Sequence, residues 1–565
     1  MSARRLPESP GAFADAAWAD IRPYFEELAE RPLGTDNVEE WLADWSALDS
    51  MLSEAAALAN FAYTCDTADP AREAAQLRFG TQIGPRAHEQ RARLQARLVE
   101  LGYVREGLET TVQRFRNQAE LFREQNVPLL AELSRLLTEW SKTNGALTVD
   151  WDGQEKTPAQ LLPFLESPDR ATRERAFKLR AEPYLRTRDR LAELFDQMLE
   201  LRQQVARNAG FESYRDFAHR EKNRFDYTVE DCLRFHAAVE EAMLPVIARM
   251  RDRRRSRMKL DRLRPWDLDV DPDGLPALRP FENVDEFVNR TATVLGGVDA
   301  DYRGYLLAMA DAGLLDLANR KGKAPGGYSA TLHFRKMPLI FMNAVGIGGD
   351  VRTLLHEAGH AFHSFDSVKL PLIYQRHPGS EMAEVASMSM ELLASPFVGA
   401  DDGGYFSAED AKRWRAELLE GTILFFPHCA SVDAFQQWIY TDPRGREADA
   451  RDAKWLELRG RFEVDTVDWS GLDRERVARW YQQPHFFSSP FYYIEYGIAQ
   501  LGALQVWRNS LRDPREAVRR YREALALGGT KRLPELLAAA GARLIFDAKG
   551  MREIAEAVEE ELAKL

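Results

Sequence analysis

The residues of this chain best suited to chemistry are His356, Glu357 and His360, which form the run HEAGH. On an α-helix, side chains four positions apart lie on one face, so both imidazoles can reach a single metal ion. Glu357 lies on the adjoining flank, where a carboxylate can take a proton from a water molecule activated by that metal. Because such a pattern arises by accident in about one or two chains of this length per hundred, the surrounding sequence has to support the metal site.

The residues before this motif predict the elements that would position it. Residues 336–350, KMPLIFMNAVGIGGD, predict a strand, a glycine-rich turn and an acidic helix start. Asp350 is the predicted N-cap of a helix over residues 351–365, in which both histidines lie on one side. The alternative is a pair of buried histidines with a purely structural role.

A catalytic zinc ion usually keeps three protein ligands and one open position for water, so a third ligand is required. His363 is the nearest imidazole. It does not continue the longer pattern HExxHxxGxxH, because Asp366 stands where the third histidine would fall. We expect His363 at the edge of the site or on the helix surface.

The segment SEMAEVASMSMELLAS predicts a second amphipathic helix that carries three acidic residues. A carboxylate among Ala, Val, Met and Leu is costly to bury unless it is paired or bound to metal. We therefore predict Glu384 as the third ligand, with Glu381 as the alternative. Glu391, two helical turns further on, is expected to orient a histidine through a hydrogen bond. Solvated charges on the helix surface are the other interpretation of Glu381 and Glu391.

Several segments between about residues 311 and 541 resemble the thimet-oligopeptidase-like zinc peptidases, and in particular the oligoendopeptidase F and collagen-peptide-cleaving branch. They read GLLDLANRKGKAPGGYSATL, PLIFMNAVG, HEAGHAFH, EMAEVASMSMELL, HFFSSPFYYIEYGIAQLGA and ALALGGTKRLPELLAAAG. The N-terminal half is similar only in length and helical character. The resemblance implies that His356, His360 and Glu384 bind one zinc ion, and that Glu357 acts first as general base and then as general acid.

The segment HFFSSPFYYIEY resembles the stretch in which this family supplies hydrogen-bond donors to the transition state. The resemblance implies His485 and Tyr496 as donors, with Tyr492 or Tyr493 beside them. Either of these two tyrosines can share a helical face with Tyr496, since they lie four and three positions before it. A tetrahedral oxyanion requires such a donor opposite the metal. The alternative is an aromatic-rich helix in which these side chains only pack.

The composition of the chain indicates which kinds of partner and which cellular compartment are expected. The chain has 565 residues, of which 45% are apolar, and its formal net charge of −13 argues against a nucleic-acid-binding protein. Three widely separated cysteines favour a reducing cytoplasm over a disulfide framework. The N-terminus lacks the apolar core of a signal peptide, and no uninterrupted apolar run is long enough to span a membrane.

Apolar residues recur at helical spacing through most of the chain, namely over residues 39–68, 70–101, 104–137, 171–208 and 407–440. Strand signals are confined to residues 147–151 and 326–343. We therefore expect a mainly α fold with a small β-sheet beside the HEAGH helix. The resemblance implies an N-terminal helical domain over residues 1–170, a catalytic domain over residues 171–565, and two helical lobes that enclose a deep substrate channel.

The predicted function is that of a zinc-dependent endopeptidase that hydrolyses short, unstructured oligopeptides. The strand over residues 338–343 is expected to offer its edge to an extended peptide. A zinc hydrolase of non-peptide amides or esters is the enzymatic alternative, and iron or manganese could replace zinc. A helical binding protein in which HEAGH is structural is the non-enzymatic alternative.

Overall fold

The structure of the protein is a computed structural model that describes residues 5–320, 322–324 and 326–565. Lys321 and Pro325, which belong to the similar segment over residues 313–332, lie outside the described residues. The predicted mainly α fold with small sheets is confirmed. None of the described helices is long and apolar enough to cross a lipid bilayer.

The α-helices of the described chain are α1 Gly11–Ala14, α2 Trp18–Glu30, α3 Val38–Cys65, α4 Pro70–Arg78, α5 Gly84–Leu101, α6 Glu109–Leu121, α7 Val127–Gly145, α8 Leu162–Leu165, α9 Arg170–Arg186, α10 Arg188–Asn208, α11 Tyr214–Glu221, α12 Val229–Ala238, α13 Leu244–Arg257, α14 Val284–Val298, α15 Ala300–Asp311, α16 Gly348–Ser367, α17 Ile373–Arg376, α18 Ser380–Ala394, α19 Ala408–Thr441, α20 Ala448–Phe462, α21 Asp473–Tyr481, α22 His485–Ser488, α23 Tyr493–Ser510, α24 Pro514–Ala526, α25 Leu533–Ala539 and α26 Ala548–Leu562. The strands are β1 Val149–Trp151, β2 Gln154–Lys156, β3 Leu315–Ala318, β4 Tyr328–Leu332 and β5 Met337–Ala344.

Some of the stretches with helical spacing contain more than one helix. Residues 104–137 include α6 and the first part of α7, which are separated by a short 3-10 turn. Residues 70–101 form α4 and α5 with a π-helical turn, Phe79–Ile83, between them. Pro85 follows this turn at the start of α5. Because proline has no N–H and its ring clashes with the carbonyl four residues earlier, the helix widens locally.

The strand signals over residues 147–151 and 326–343 coincide with β1, β4 and β5, whereas β3 lies outside them. β1 and β2 form a hairpin, and the turn between them has left-handed backbone at Asp152 and Gly153. The other sheet has the order β3-β5-β4, with β5 parallel to β3 and antiparallel to β4. The prediction that the strand over residues 338–343 offers its edge is wrong, because β5 is the central strand and both its edges are paired. In this sheet the outer strands are β3 and β4.

The chain forms two compact units, each built from three separate segments. The first unit comprises Met1–Leu121, Arg279–Arg415 and Ala499–Leu544, and contains the three-stranded sheet with α16 and α18. The second unit comprises Phe122–Leu278, Ala416–Ile498 and Ile545–Leu565, and contains the hairpin and α22. The domain division at residue 170 and the substrate channel stay predictions.

In the first unit, the loop before β4 is tied to the sheet by a buried lysine. The ammonium group of Lys323 lies 2.8 Å from the carboxylate of Asp316 on β3. It also donates hydrogen bonds to the backbone carbonyls of Ala318 and Met342, so it bridges β3 and β5. The central strand β5 is buried and packs against α16, which carries HEAGH.

Candidate metal centre

The turn that leads from β5 into α16 is held by one carboxylate. Asp350 accepts hydrogen bonds from the backbone N–H groups of Val345 and Gly346 at 2.8 Å, and of Ile347 at 3.0 Å. The prediction of Asp350 as N-cap is wrong, because α16 begins at Gly348 and Asp350 lies in its first turn. Asp350 therefore holds the backbone of the turn that precedes α16, and its negative charge lies in the first helical turn, where a carboxylate is favoured.

Two histidines of α16 and one glutamate of α18 converge in the first unit. Nε2 of His356 lies 3.4 Å from Oε2 of Glu384, and Nε2 of His360 lies 3.7 Å from the same oxygen. The three ligand atoms all lie within 4.8 Å of one another. Two imidazoles and one carboxylate are the donor set of many catalytic zinc sites, so these residues fit one zinc ion.

A glycine within HEAGH permits this convergence. A Cβ atom placed on Gly359 would lie 2.6 Å from the carbonyl oxygen of Ala386 and 2.6 Å from Cα of Ser387. Both contacts are with backbone of α18, which cannot move away as the end of a flexible side chain could. The Ser387 hydroxyl, next to this contact, donates a hydrogen bond to Oε2 of Glu384 at 3.0 Å. Close backbone packing of the two helices therefore brings Glu384 within reach of the histidines.

Glu391 contacts the outer nitrogen of His356. The distance from its Oε1 to Nδ1 of His356 is 2.7 Å, and its Oε2 accepts a hydrogen bond from Nε of Arg352 at 2.6 Å. A carboxylate in this place fixes the tautomer and orientation of an imidazole. Sequence reasoning missed Arg352, although its position one helical turn before His356 places both side chains on one face of α16.

Electrostatics at the two histidines differ. Burial disfavours the charged ring of His356, but hydrogen bonds with Glu384 and Glu391 raise its pKa to about 10. Burial lowers the pKa of His360 to about 4. The surplus of carboxylates around His356 attracts a cation, and the neutral ring of His360 offers a lone pair.

Glu357 is buried beside this group. Its Oε2 has no hydrogen-bond partner among the described residues. Burial raises the pKa of Glu357 to about 7. A Cβ atom placed on Gly327, just before β4, would lie 3.5 Å from Oε1 of Glu357, so the start of β4 passes close to this carboxylate.

Two other candidates lie outside the three-residue group. Glu381, the alternative ligand, is buried one turn before Glu384 and contributes no atom to the group found among the described residues. His363 is only 5% exposed. Its expected place on the helix surface is therefore wrong, and burial lowers its pKa to about 3.

The four predicted donors form an aromatic cluster in the second unit. The ring of His485 lies 6.1, 5.0 and 5.8 Å from the rings of Tyr492, Tyr493 and Tyr496. All four side chains are half-buried. Gln483 contacts Nδ1 of His485 at 2.6 Å and accepts a hydrogen bond from the hydroxyl of Tyr493 at 3.4 Å. Burial raises the pKa of Tyr493, which keeps its hydroxyl protonated.

Comparisons with known proteins show which family models and solved structures this chain matches. The model of the family described as "Peptidase family M3" matches residues 164–556, and that of the "Peptidase M3 N-terminal domain" matches residues 13–124. The solved structure titled "PZ PEPTIDASE A with inhibitor 2" superposes with a TM-score of 0.88 and 27% identity, covering 100% of this chain and 99% of that one.

Two curated relatives are more distant in sequence. Oligopeptidase PepF of Bacillus subtilis is 25% identical over 445 residues, which are 74% of this chain and 62% of the relative. An oligoendopeptidase F homolog of Borreliella burgdorferi is 23% identical over 433 residues, with 74% and 70% of the two chains covered. The chain thus spans less than two thirds of the length of the Bacillus relative.

Replacing Gly359 by alanine should disrupt the metal centre. The new methyl group would force α16 and α18 apart, at a cost of about 1–3 kcal/mol, and would move Glu384 away from the histidines. We expect weaker zinc binding in a chelator competition and a lower midpoint of urea unfolding. The control is Gly304→Ala on α15, where a Cβ atom meets nothing within 4 Å. Equal zinc affinity in both variants would contradict the packing argument.

Replacing Glu391 by glutamine should weaken zinc binding while leaving the fold intact. The amide removes the charge that orients His356, a change that typically costs about 10–100-fold in metal affinity. The measurement is the zinc dissociation constant from titration against a fluorescent chelator. Glu409→Gln, on an exposed part of α19, is the control, and an unchanged constant for Glu391→Gln would reject the orienting role.

Proposed function

The chain belongs to peptidase family M3, and we propose that it is a zinc-dependent endopeptidase that hydrolyses short, unstructured oligopeptides. The observation that carries this proposal is the convergence of His356, His360 and Glu384 beside the buried carboxylate of Glu357. The names of its relatives, oligopeptidase PepF and Pz peptidase A, support peptides over the alternative of non-peptide amides or esters.

In this proposal His356, His360 and Glu384 hold the zinc ion, and Glu391 orients His356. Zinc, when bound, supplies a Lewis acid that acidifies water and polarises the scissile carbonyl. Glu357 accepts a proton from the attacking water and returns it to the leaving amine. Its burial favours the protonated form that the second step requires, because an apolar environment opposes the charged carboxylate.

We propose β4, in place of β5, as the strand that binds the peptide. β4 is an outer strand of its sheet, and it is largely half-buried. It begins immediately after Gly327, whose backbone lies close to Glu357. An extended peptide that hydrogen-bonds to the outer edge of β4 would therefore pass near the carboxylate that transfers the proton.

His485 and Tyr496 are the proposed donors of hydrogen bonds to the tetrahedral intermediate, with Tyr492 and Tyr493 as neighbours. A neutral phenol or an imidazole can stabilise an oxyanion by donating a hydrogen bond from its O–H or N–H group. The proposed partners are peptides, and the proposed compartment is the cytoplasm, where the three free cysteines would stay reduced.

Replacing Glu357 by glutamine should lower the rate of peptide hydrolysis by several orders of magnitude without loss of zinc. The amide cannot accept a proton, and general-base catalysis contributes about 10²–10⁴-fold to rate. The test measures kcat with an internally quenched peptide and zinc content by elemental analysis. Glu409→Gln should behave like the wild type. Near wild-type turnover of Glu357→Gln would rule out its role as the base.

Replacing Tyr496 by phenylalanine should lower kcat and leave KM nearly unchanged. Loss of one donor to an oxyanion typically reduces kcat by about 10²–10³-fold. Tyr492→Phe and Tyr493→Phe, assayed in parallel, identify which hydroxyl has the larger effect. The donor role of the tyrosines fails if Tyr496→Phe, Tyr492→Phe and Tyr493→Phe all turn over the quenched peptide at the wild-type rate.

A further inference from the structure

The segment over residues 485–496, which carries the proposed donors, has an irregular backbone. α22 contains only four residues and ends at Ser488, and α23 begins at Tyr493. Between them, Phe491 has a left-handed backbone with φ of 62°. This conformation is unfavourable for a bulky side chain, so surrounding contacts must impose it.

The first such contact is Arg202, a buried residue of α10. Its guanidinium group donates hydrogen bonds to the backbone carbonyls of Phe486, at 3.1 Å, and Phe487. It also donates to the hydroxyl of Tyr440 at 3.0 Å. Carbonyls near the end of a short helix have no partner within it, so Arg202 satisfies groups that the segment leaves unpaired. It thereby fixes the two residues that follow His485.

The second contact is Arg224, a buried residue in the loop between α11 and α12. It donates hydrogen bonds to the backbone carbonyl of Phe491 and, at 2.7 Å, to the carboxylate of Glu495. The backbone N–H of Phe491 donates to the side-chain oxygen of Gln436 at 2.6 Å. Both polar backbone groups of the left-handed residue are therefore held by side chains from other elements.

The contacts of Arg224 bracket the tyrosines. Phe491 immediately precedes Tyr492, and Glu495 immediately precedes Tyr496. Arg224 and Glu495 are 6% and 1% exposed, so they form a buried ion pair. Such a pair contributes little net stability, because desolvation offsets the attraction between the charges, but it requires a precise arrangement of the two side chains. The main effect of this pair is therefore to fix the backbone next to Tyr492 and Tyr496.

We propose that Arg202 and Arg224 are positioning residues of the peptidase reaction, which hold the 485–496 segment in the conformation that the proposed donor role of His485 and Tyr496 requires. This inference rests on the proposed function. Interactions made only in the transition state determine kcat. Since a displacement of about 1 Å in such groups can cost roughly 100-fold in rate, loss of either arginine should lower kcat more than it raises KM.

The experiment compares Arg202→Met and Arg224→Met with Arg173→Met. Arg173 is also buried in the second unit and also donates to backbone carbonyls, those of Ser167 and Pro168. All three variants lose a buried guanidinium and should lose stability. We expect kcat per zinc-loaded molecule to fall about 100-fold for the first two variants and to stay at the wild-type value for Arg173→Met.

A second readout separates positioning from general destabilisation. A phosphinic peptide carries a tetrahedral anion that resembles the intermediate, whereas a small hydroxamate binds the metal without one. For Arg202→Met and Arg224→Met, the inhibition constant of the phosphinic peptide should rise by about the same factor as kcat/KM falls. The inhibition constant of the hydroxamate should not change.

Milder variants decide the matter if the methionine variants do not fold. Arg202→Lys, Arg224→Lys and Glu495→Gln each remove part of these contacts, and a fall in kcat at constant KM and zinc content supports the inference. Wild-type kcat in all three overturns it, as does an equal fall in Arg173→Met. If the arginine and Glu495 variants are fully active while Tyr496→Phe is inactive, the positioning role is rejected and the proposed donor role is kept. Full activity of Tyr492→Phe, Tyr493→Phe and Tyr496→Phe rejects the donor role of the tyrosines in the proposed function.

Discussion

The structure of the candidate centre depends on one close approach between two helices. At Gly359 the backbone of α18 occupies the space that a side chain of α16 would fill. Only this separation allows Glu384 on one helix to approach His356 and His360 on the other. The electrostatic features of the site follow from the same packing, because it buries carboxylates where they interact strongly with an imidazole.

In the second unit the problem is different. There the irregular segment over residues 485–496 has to be held in place, whereas in the first unit two regular helices, α16 and α18, pack together. Hydrogen bonds within a helix fix its own backbone, but α22 has only four residues, and both backbone polar groups of Phe491 bond to side chains of other elements. Arg202, Arg224 and Gln436 supply these hydrogen-bond partners. A guanidinium group suits this task because its five N–H donors are arranged in a rigid plane and can serve several acceptors at once.

The sequence predicted the elements and candidate residues of the centre because their signals are local. In HEAGH and in the acidic segment after it, the residue types and their helical spacing are enough to predict which side chains share a face. The contacts of Arg224 were not predictable, since Glu495 lies 271 positions away in the chain and nothing local records the pairing. The order of the sheet was missed for the same reason. β3 has only four residues, a run too short to predict a strand with certainty from its side-chain pattern, so β5 could not be recognised as a central strand.

The outer position of β4 has a consequence for the behaviour of the protein in concentrated solution. Unpaired backbone groups on an outer strand can pair with any extended chain, including another copy of the protein. β4 has five residues and is largely half-buried, and both properties restrict such self-association. The proposed binding of a peptide requires an open edge on β4, so this proposed role and resistance to aggregation place opposing requirements on the same five residues.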